Sequence, residues 1–293
     1  MESKKIKKFK ILYMIIAAFL CAILFFIISE NHSVEAKQSN NHVSRIYKYL
    51  DDSSRIRKIK IIAHRGVYLD ETENSIHAID DSIKNKVKYV EIDVQETKDG
   101  TVVLMHDKNL KRLTGINADV NDLTFKQIEE LTLGKAVKNK KQERIPTLDS
   151  VIKESKNKVR LIIEIKPYGD TKDLTRKVVG IIERNNFVNQ CMVHSLSYNA
   201  LLNVKSLNPN IKTGYIACWH RKDLTSLNVD FYSVEQRLIT KRLVMEIHKE
   251  HKKIYSWTVD KPNNMDNMLK LNVDGIITDK PSILMKAGKE TKI

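Results

Sequence analysis

From residue 58 onward, short apolar runs alternate with longer stretches whose apolar positions recur every three or four residues. Runs of the first kind read as strands and the second kind as helices. The strand-like runs are 58–64, 88–93, 159–165, 191–195, 212–217, 230–235, 254–259 and 274–279. Helical patterns fit between most of them, at 75–86, 171–185, 197–206, 240–251 and 263–271. Such alternation predicts a parallel sheet with helical crossovers. Eight repeats predict an α/β fold of the (β/α)8 TIM-barrel type over residues 58–288.

One interval is irregular. After the second strand, "GTVVLMHD" (100–107) reads as a hairpin partner and is followed by a polar excursion, so an insertion is expected at about 107–147. Within it, "LTFKQIEELT" (123–132) has an amphipathic pattern and reads as a helix covering the barrel mouth. "IPTLDSVIKES" then starts a helix, with Pro146-Thr147 as the stop-and-start signal.

The N-terminus follows a different pattern. Residues 1–10 carry five lysines, and residues 11–28, "ILYMIIAAFLCAILFFII", are uninterruptedly apolar. Eighteen helical residues at ~1.5 Å each reach ~27 Å, close to the ~30 Å of a hydrocarbon core. Lysines before this run place the N-terminus in the cytoplasm and the barrel outside. The expected organisation is a basic tail and transmembrane anchor in residues 1–30, then a polar linker over 31–57 with a short helix near Val43–Leu50. A cleaved signal ending at Ala36 is the alternative, and it would release the same barrel as a secreted protein.

Two strands carry charge where an apolar core is expected. In "KYVEIDVQ" (88–95), Val90, Ile92 and Val94 share one face while Glu91, Asp93 and Gln95 share the other. In "LIIEIKP" (161–167), Glu164 and Lys166 share a face of a strongly apolar run. The polar residues fall at strand C-termini, where sites in such barrels are built: His64, Glu91, Asp93, Glu164, Lys166, His194, Glu235 and Trp257. Three carboxylates gathered at one rim call for a counter-charge. A hard divalent cation, Ca²⁺ or Mg²⁺, held by Glu91, Asp93 and Glu164 would supply it, and is favoured over three separate salt bridges to lysine or arginine because the carboxylates share strand ends. Arg65 offers a planar donor fork for phosphate oxygens, with Lys166 as a second cation. His64 and His106 are candidates for proton transfer.

Composition adds limits. Fifty-one basic and 36 acidic residues leave a net charge of +15, which favours anionic partners, although lysines spread along helix faces also read as solvated exterior. No nucleic-acid motif accompanies the charge. Of three cysteines, Cys21 lies in the apolar run, and Cys191 and Cys218 have no metal-ligand spacing and read as free thiols. His194 reads as cavity lining, His77, His248 and His251 as helix-surface residues, and His220 as a loop residue near the mouth. Glu235 is open between an extra ligand and a rim charge.

The ordered set "AHRG" (63–66), "ENS" (73–75), "EIDVQ" (91–95), "VLMHD" (103–107), "IPTL" (145–148), "EIKP" (164–167), "WTVD" (257–260) and "VDGIITDKP" (273–281) resembles the glycerophosphodiester phosphodiesterase family. The resemblance spans about residues 60–285. It implies a phosphoric diester hydrolase that releases sn-glycerol 3-phosphate and an alcohol. It also implies His64 and His106 as the acid/base pair, Glu91, Asp93 and Glu164 as ligands of one divalent cation, and Arg65 and Lys166 as phosphate binders. Asn74 would border the phosphate or metal, and Trp257 would wall the glycerol pocket. Thr72 and Asp260 depart from the family's usual Pro and Asn. The alternatives are a lysophospholipase D-type enzyme acting on acylated lipids and a non-catalytic, membrane-tethered anion-binding barrel.

Overall fold

The computed structural model describes residues 59–67, 71–134, 143–220 and 224–290, with side chains as far as Lys286. The apolar run 11–28, the linker and the short helix expected near Val43–Leu50 lie outside the described residues. Among the described residues, no helix is long and apolar enough to cross a membrane.

The strands, in chain order, are β1 (Lys60–His64), β2 (Tyr89–Glu96), β3 (Val102–Leu104), β4 (Thr132–Leu133), β5 (Glu143–Arg144), β6 (Arg160–Ile165), β7 (Cys191–Ser195), β8 (Lys212–Ala217), β9 (Phe231–Glu235), β10 (Lys253–Trp257) and β11 (Gly275–Thr278). Eight of them form a parallel ring in the order β1-β2-β6-β7-β8-β9-β10-β11. The ring closes because β1 pairs on both sides, Lys60 with Gly275 and His64 with Glu91. The expected barrel is therefore present, with each predicted strand within three residues of its observed ends.

Strand alternation explains the mixed polarity of the strands. Val90, Ile92, Val94, Leu161, Ile163 and Val193 point outward into the main apolar layer beneath the helices. Their neighbours in sequence point inward, where Ile62, Ile162, Met192, Phe231, Tyr255 and Ile277 fill the middle of the barrel. Glu91, Asp93 and Glu164 belong to the inward set, further toward the strand C-termini. Gly214 keeps the filling in place. A Cβ there would lie 2.1 Å from Cε2 of Phe231.

The helices are α1 (Ile76–Lys84), α2 (Lys111–Thr114), α3 (Phe125–Ile128), α4 (Leu148–Ser155), α5 (Thr171–Arg184), α6 (Tyr198–Leu207), α7 (Lys241–Lys249), α8 (Pro262–Lys270) and α9 (Pro281–Glu290). Ser75, Thr147, Asp170, Ser197 and Thr240 each accept a backbone N–H at the start of α1, α4, α5, α6 and α7. Such caps contribute about 0.5–2 kcal/mol each and set where each helix leaves its strand. The crossover from β8 to β9 has only a 3-10 turn, Leu224–Ser226, among its described residues.

The insertion begins as expected, with β3 antiparallel to β2 (Val94 opposite Leu104). It has an apolar cluster of its own, containing Met105, Leu110, Leu113, Val120, Ile128 and Ile145. Segment 123–132 differs from the expected mouth-covering helix: only α3 is helical, closed by a Thr124/Gln127 capping box. Thr132 turns at once into the β4–β5 ribbon, and Ile128 is spent on the insertion's own cluster.

Candidate active site

The loop after β1 is shaped for close approach. Arg65 and Asn74 adopt left-handed φ values of 56° and 55°, and Asn74 N donates to Arg65 O at 2.9 Å. A non-glycine residue such as Arg65 holds this conformation at a cost of about 1–3 kcal/mol. Gly66 follows at φ 87°, and a Cβ there would lie 2.7 Å from Cβ of Ala78 in α1. The reversed backbone lets Arg65 N donate to Glu91 Oε2 at 3.1 Å while its side chain turns over the mouth.

Asp93 is the hub of the mouth and only 1 % exposed. Asn74 Nδ2 donates to its Oδ2 at 2.8 Å, Arg65 Nε lies 3.3 Å from the same oxygen, and Lys166 Nζ lies 3.3 Å from Oδ1. Burial favours the neutral acid, yet Lys166 and Arg65 outweigh it and hold the Asp93 pKa well below the usual carboxylate range. Lys166 also meets Glu164 Oε1 at 2.9 Å. For Glu164 the balance reverses: burial, together with the charge of Asp93, pushes its pKa up to about 7 against the pull of Lys166.

Of the three expected ligands, the structure brings Glu91 and Glu164 together with His194, their donor atoms all within 4.8 Å of one another. Asp93 stands one inward position further along β2 and is engaged by cations and an amide. His194 Nδ1 bonds Ser233 Oγ at 3.0 Å, leaving Nε2 3.5 Å from Glu91 Oε1, buried and without a hydrogen-bond partner.

The two candidate acid/base residues share one arrangement. His64 Nδ1 lies 2.7 Å from Asp279 Oδ1, and His106 Nδ1 lies 2.7 Å from Asp107 Oδ1. A carboxylate on Nδ1 fixes each ring and leaves Nε2 for other work. Burial pulls the His64 pKa down, but Asp279 and Glu91 overcome it and the net shift is upward. Burial also lowers the His106 pKa, and there Asp93 does not recover the loss. His106 is placed by Gln95, whose Nε2 donates to the carbonyls of Met105 (2.8 Å) and Asp107 (2.7 Å).

Several residues were not singled out by the sequence. Arg112 of α2 grips Glu73 through Nη1 (2.9 Å) and Nη2 (2.8 Å) and reaches Asp107 Oδ2 through Nε (2.5 Å). Glu73 also receives Arg65 Nη1 at 2.7 Å. Asp260, marked in the sequence as a departure from the family's usual Asn, accepts from Asp279 N at 2.8 Å and Thr278 Oγ1 at 3.0 Å, so it secures the residue behind His64. Asp107 and Asp279 lie inside the quoted "VLMHD" and "TDKP" segments, whereas Arg112 has no local signal.

Trp257 donates Nε1 to Ser233 O at 2.9 Å and packs against the barrel filling, which leaves its indole as one wall of the mouth. Glu235 is held by Arg237 Nε at 2.9 Å as a rim charge. His248, expected on the surface, is half-buried, with Nε2 2.8 Å from Asp274 Oδ2. Cys191 and Cys218 are free thiols. A cavity of about 200 Å³ opens beside Lys166 and is also lined by Gln95, Thr97, Asn121 and Tyr168.

A parallel barrel whose mouth combines buried carboxylates, two cations and two carboxylate-backed histidines defines a hydrolase of phosphoric diesters. The chain belongs to the glycerophosphoryl diester phosphodiesterase family, whose sequence profile it matches over residues 64–283. It is 34% identical over 243 residues to a glycerophosphodiester phosphodiesterase of Caldanaerobacter subterraneus subsp. tengcongensis, covering 78% of this chain and 97% of that protein. A Bacillus altitudinis enzyme of the same name is 28% identical over 246 residues, covering 80% and 99%. An Oleispira antarctica phosphodiesterase solved with its product sn-glycerol-3-phosphate superposes with a TM-score of 0.71 at 23% identity, covering 78% of this chain and 96% of that one. A glycerophosphodiester phosphodiesterase structure from Parabacteroides distasonis gives 0.71 at 24% identity, covering 80% and 98%.

Proposed function

We propose that this protein hydrolyses glycerophosphodiesters to sn-glycerol 3-phosphate and an alcohol, using His64 and His106 as an acid/base pair and one divalent cation, Ca²⁺ or Mg²⁺. The observation that carries the reading is the pair of histidines, each with a carboxylate on Nδ1, beside the Arg65–Asp93–Lys166–Glu164 cluster. An anion-binding barrel without turnover has no use for two rings held in this way, and nothing among the described residues of the mouth favours an acylated substrate.

The residues fit a hard cation: Glu91 and Glu164 converge, Asp93 adjoins them, and His194 presents an unpartnered nitrogen to the same place. When bound there, such a cation neutralises charge that builds on the phosphoryl oxygens. Arg65 and Lys166 hold the remaining oxygens in line for displacement. One histidine takes the proton of the attacking hydroxyl, from water or the neighbouring glycerol hydroxyl. The other gives a proton to the departing alcohol. Trp257 walls the glycerol side, and the cavity beside Lys166 has room for the alcohol side.

The apolar run 11–28 supports a second part of the reading, a barrel tethered to the outer face of the cell membrane near lipid-derived substrates. The test assays the full chain in neutral detergent against glycerophosphocholine and lysophosphatidylcholine, with Ca²⁺, Mg²⁺ or EDTA. Glycerophosphocholine turnover that EDTA abolishes is expected. His64→Ala and His106→Ala should each reduce kcat by about 10²–10⁴. Near-normal turnover in both variants would sink the two-histidine scheme.

A further inference from the structure

The end of the barrel opposite the mouth is ringed by cations. Alternation from the inward residues Ile62, Ile162, Gly214 and Tyr255 places Lys60, Arg160, Lys212 and Lys253 two positions earlier on the same inward faces, at the N-terminal ends of β1, β6, β8 and β10. They gather around two aromatic rings. Lys60 Nζ lies 5.8 Å from the Tyr89 ring centre and 5.4 Å from that of Tyr255, and Arg160 Cζ lies 5.9 Å from Tyr89. Their charge is poorly compensated. Asp274 is taken by Lys253, His248 and the amide of Ile254, and Asp230 by Lys205 and the amide of Thr213. Among the described residues, Lys60, Arg160 and Lys212 have no carboxylate within ion-pair distance.

We infer that this basic foot of the barrel docks on the phosphate groups of an anionic lipid surface. The catalytic scheme leaves these four side chains without a task, because the apolar filling separates them from the mouth. Lys60 bears the strain of this crowding: burial first, and then the fields of Lys253, Lys212 and Arg160, draw its pKa down against Asp274. Phosphate oxygens would relieve that repulsion.

A lipid surface is favoured over other anions by where the chain enters. The described residues begin at Ile59, at this end, about 30 residues after the apolar run closes at residue 28. The chain therefore joins the barrel at its foot rather than at its mouth, on the side of the sequence that carries the proposed tether. The inference rests on the membrane tether proposed above. Each basic side chain near an anionic leaflet strengthens binding about fivefold, so Lys60, Arg160 and Lys212, with the paired Lys253 beside them, form an effective clamp.

The test places the full chain in nanodiscs of phosphatidylcholine, with or without one-third phosphatidylglycerol, and follows lysine acetylation by mass spectrometry. Acetylation of Lys60, Lys212 and Lys253 should slow about tenfold in the anionic discs, while Lys172, at the mouth end, is unchanged. Arg160→Gln/Lys253→Gln should lose the protection at Lys60 and Lys212 yet hydrolyse soluble glycerophosphocholine at the wild-type rate. Should that variant not fold, about 0.5 M NaCl must erase the wild-type protection, because screening then acts within a few ångströms. Equal labelling in the two discs overturns the inference. So does equal protection by 10 mM inorganic phosphate in neutral discs, which would assign the ring to free phosphate. A chain that does not load into neutral discs refutes the tether alone. The foot is then judged by whether the same chain binds anionic discs.

Discussion

The side-chain amide of Asn74 clasps Asp93 from two sides: Nδ2 donates to Oδ2 at 2.8 Å, and Oδ1 accepts from Asp93 N at 3.0 Å. Both residues are buried, and Asn74 does this from a left-handed backbone that asparagine tolerates better than most residues. Asn74→Ala removes both bonds and leaves an amide unsatisfied, so a loss of about 1–3 kcal/mol in denaturant unfolding is expected, with kcat/KM down at least about tenfold. Asn74→Gly relieves the backbone but not the lost bonds. It should recover part of the stability and little of the activity.

Glu164 predicts how the site trades protons for metal. Its pKa is raised above the unfolded value, so the folded protein keeps this proton up to about pH 7. In the metal-free protein the associated stability is present below the ordinary glutamate pKa and is lost as pH rises through about 7. A cation must displace the proton below that point. Calorimetry in buffers of different ionisation enthalpy should therefore show release of close to one proton on Ca²⁺ or Mg²⁺ binding at pH 6, and almost none at pH 8.5. Glu164→Gln should abolish the release and weaken binding. Proton release that persists in this variant would contradict the assignment.

Arg112 ties the insertion to the mouth through three donors, two on Glu73 and one on Asp107. Lysine cannot reproduce that fork. Arg112→Lys and Arg112→Ala are both expected to lower kcat/KM about tenfold, through the Asp107 that orients His106. Arg242→Ala, which removes an exposed pair with Glu246, should leave the rate unchanged. Steady-state kinetics on the three variants decides the point.

Gly214 and Phe231 make a steric pair in the barrel filling, and a methyl group at 214 has no room beside the ring. Gly214→Ala should cost about 1–3 kcal/mol or more in denaturant melts. Combining it with Phe231→Leu should return part of that loss, a coupling that a double-mutant cycle reads directly.

Much of this arrangement was legible in the sequence because period two fixes facing. Once Val90 and Ile92 are assigned outward, Glu91 and Asp93 must point into the barrel, and the same argument places Glu164 and His64. Height along the barrel was not legible. Glu164 pairs with both Asp93 and His194, whereas Glu91 pairs with His64, and that stagger sets Glu91 beside His194 and leaves Asp93 nearer the rim with Lys166. Arg112 was missed because its partners are 39 residues away (Glu73) and in another element (Asp107). The expected helix at 123–132 failed because its apolar residues serve a cluster inside the insertion rather than a barrel face.

The hairpin that carries His106 is moored at both of its roots. Gln95 secures the outgoing chain, and Leu104 N reaches Pro146 O at 3.0 Å where the excursion returns. Beyond Arg112, whose grip on Asp107 must be kept, the excursion between those moorings can lengthen, shorten or change character while the imidazole stays at its station. Diversification of the lobe over the rim, and with it the choice of alcohol, is thereby uncoupled from the chemistry below.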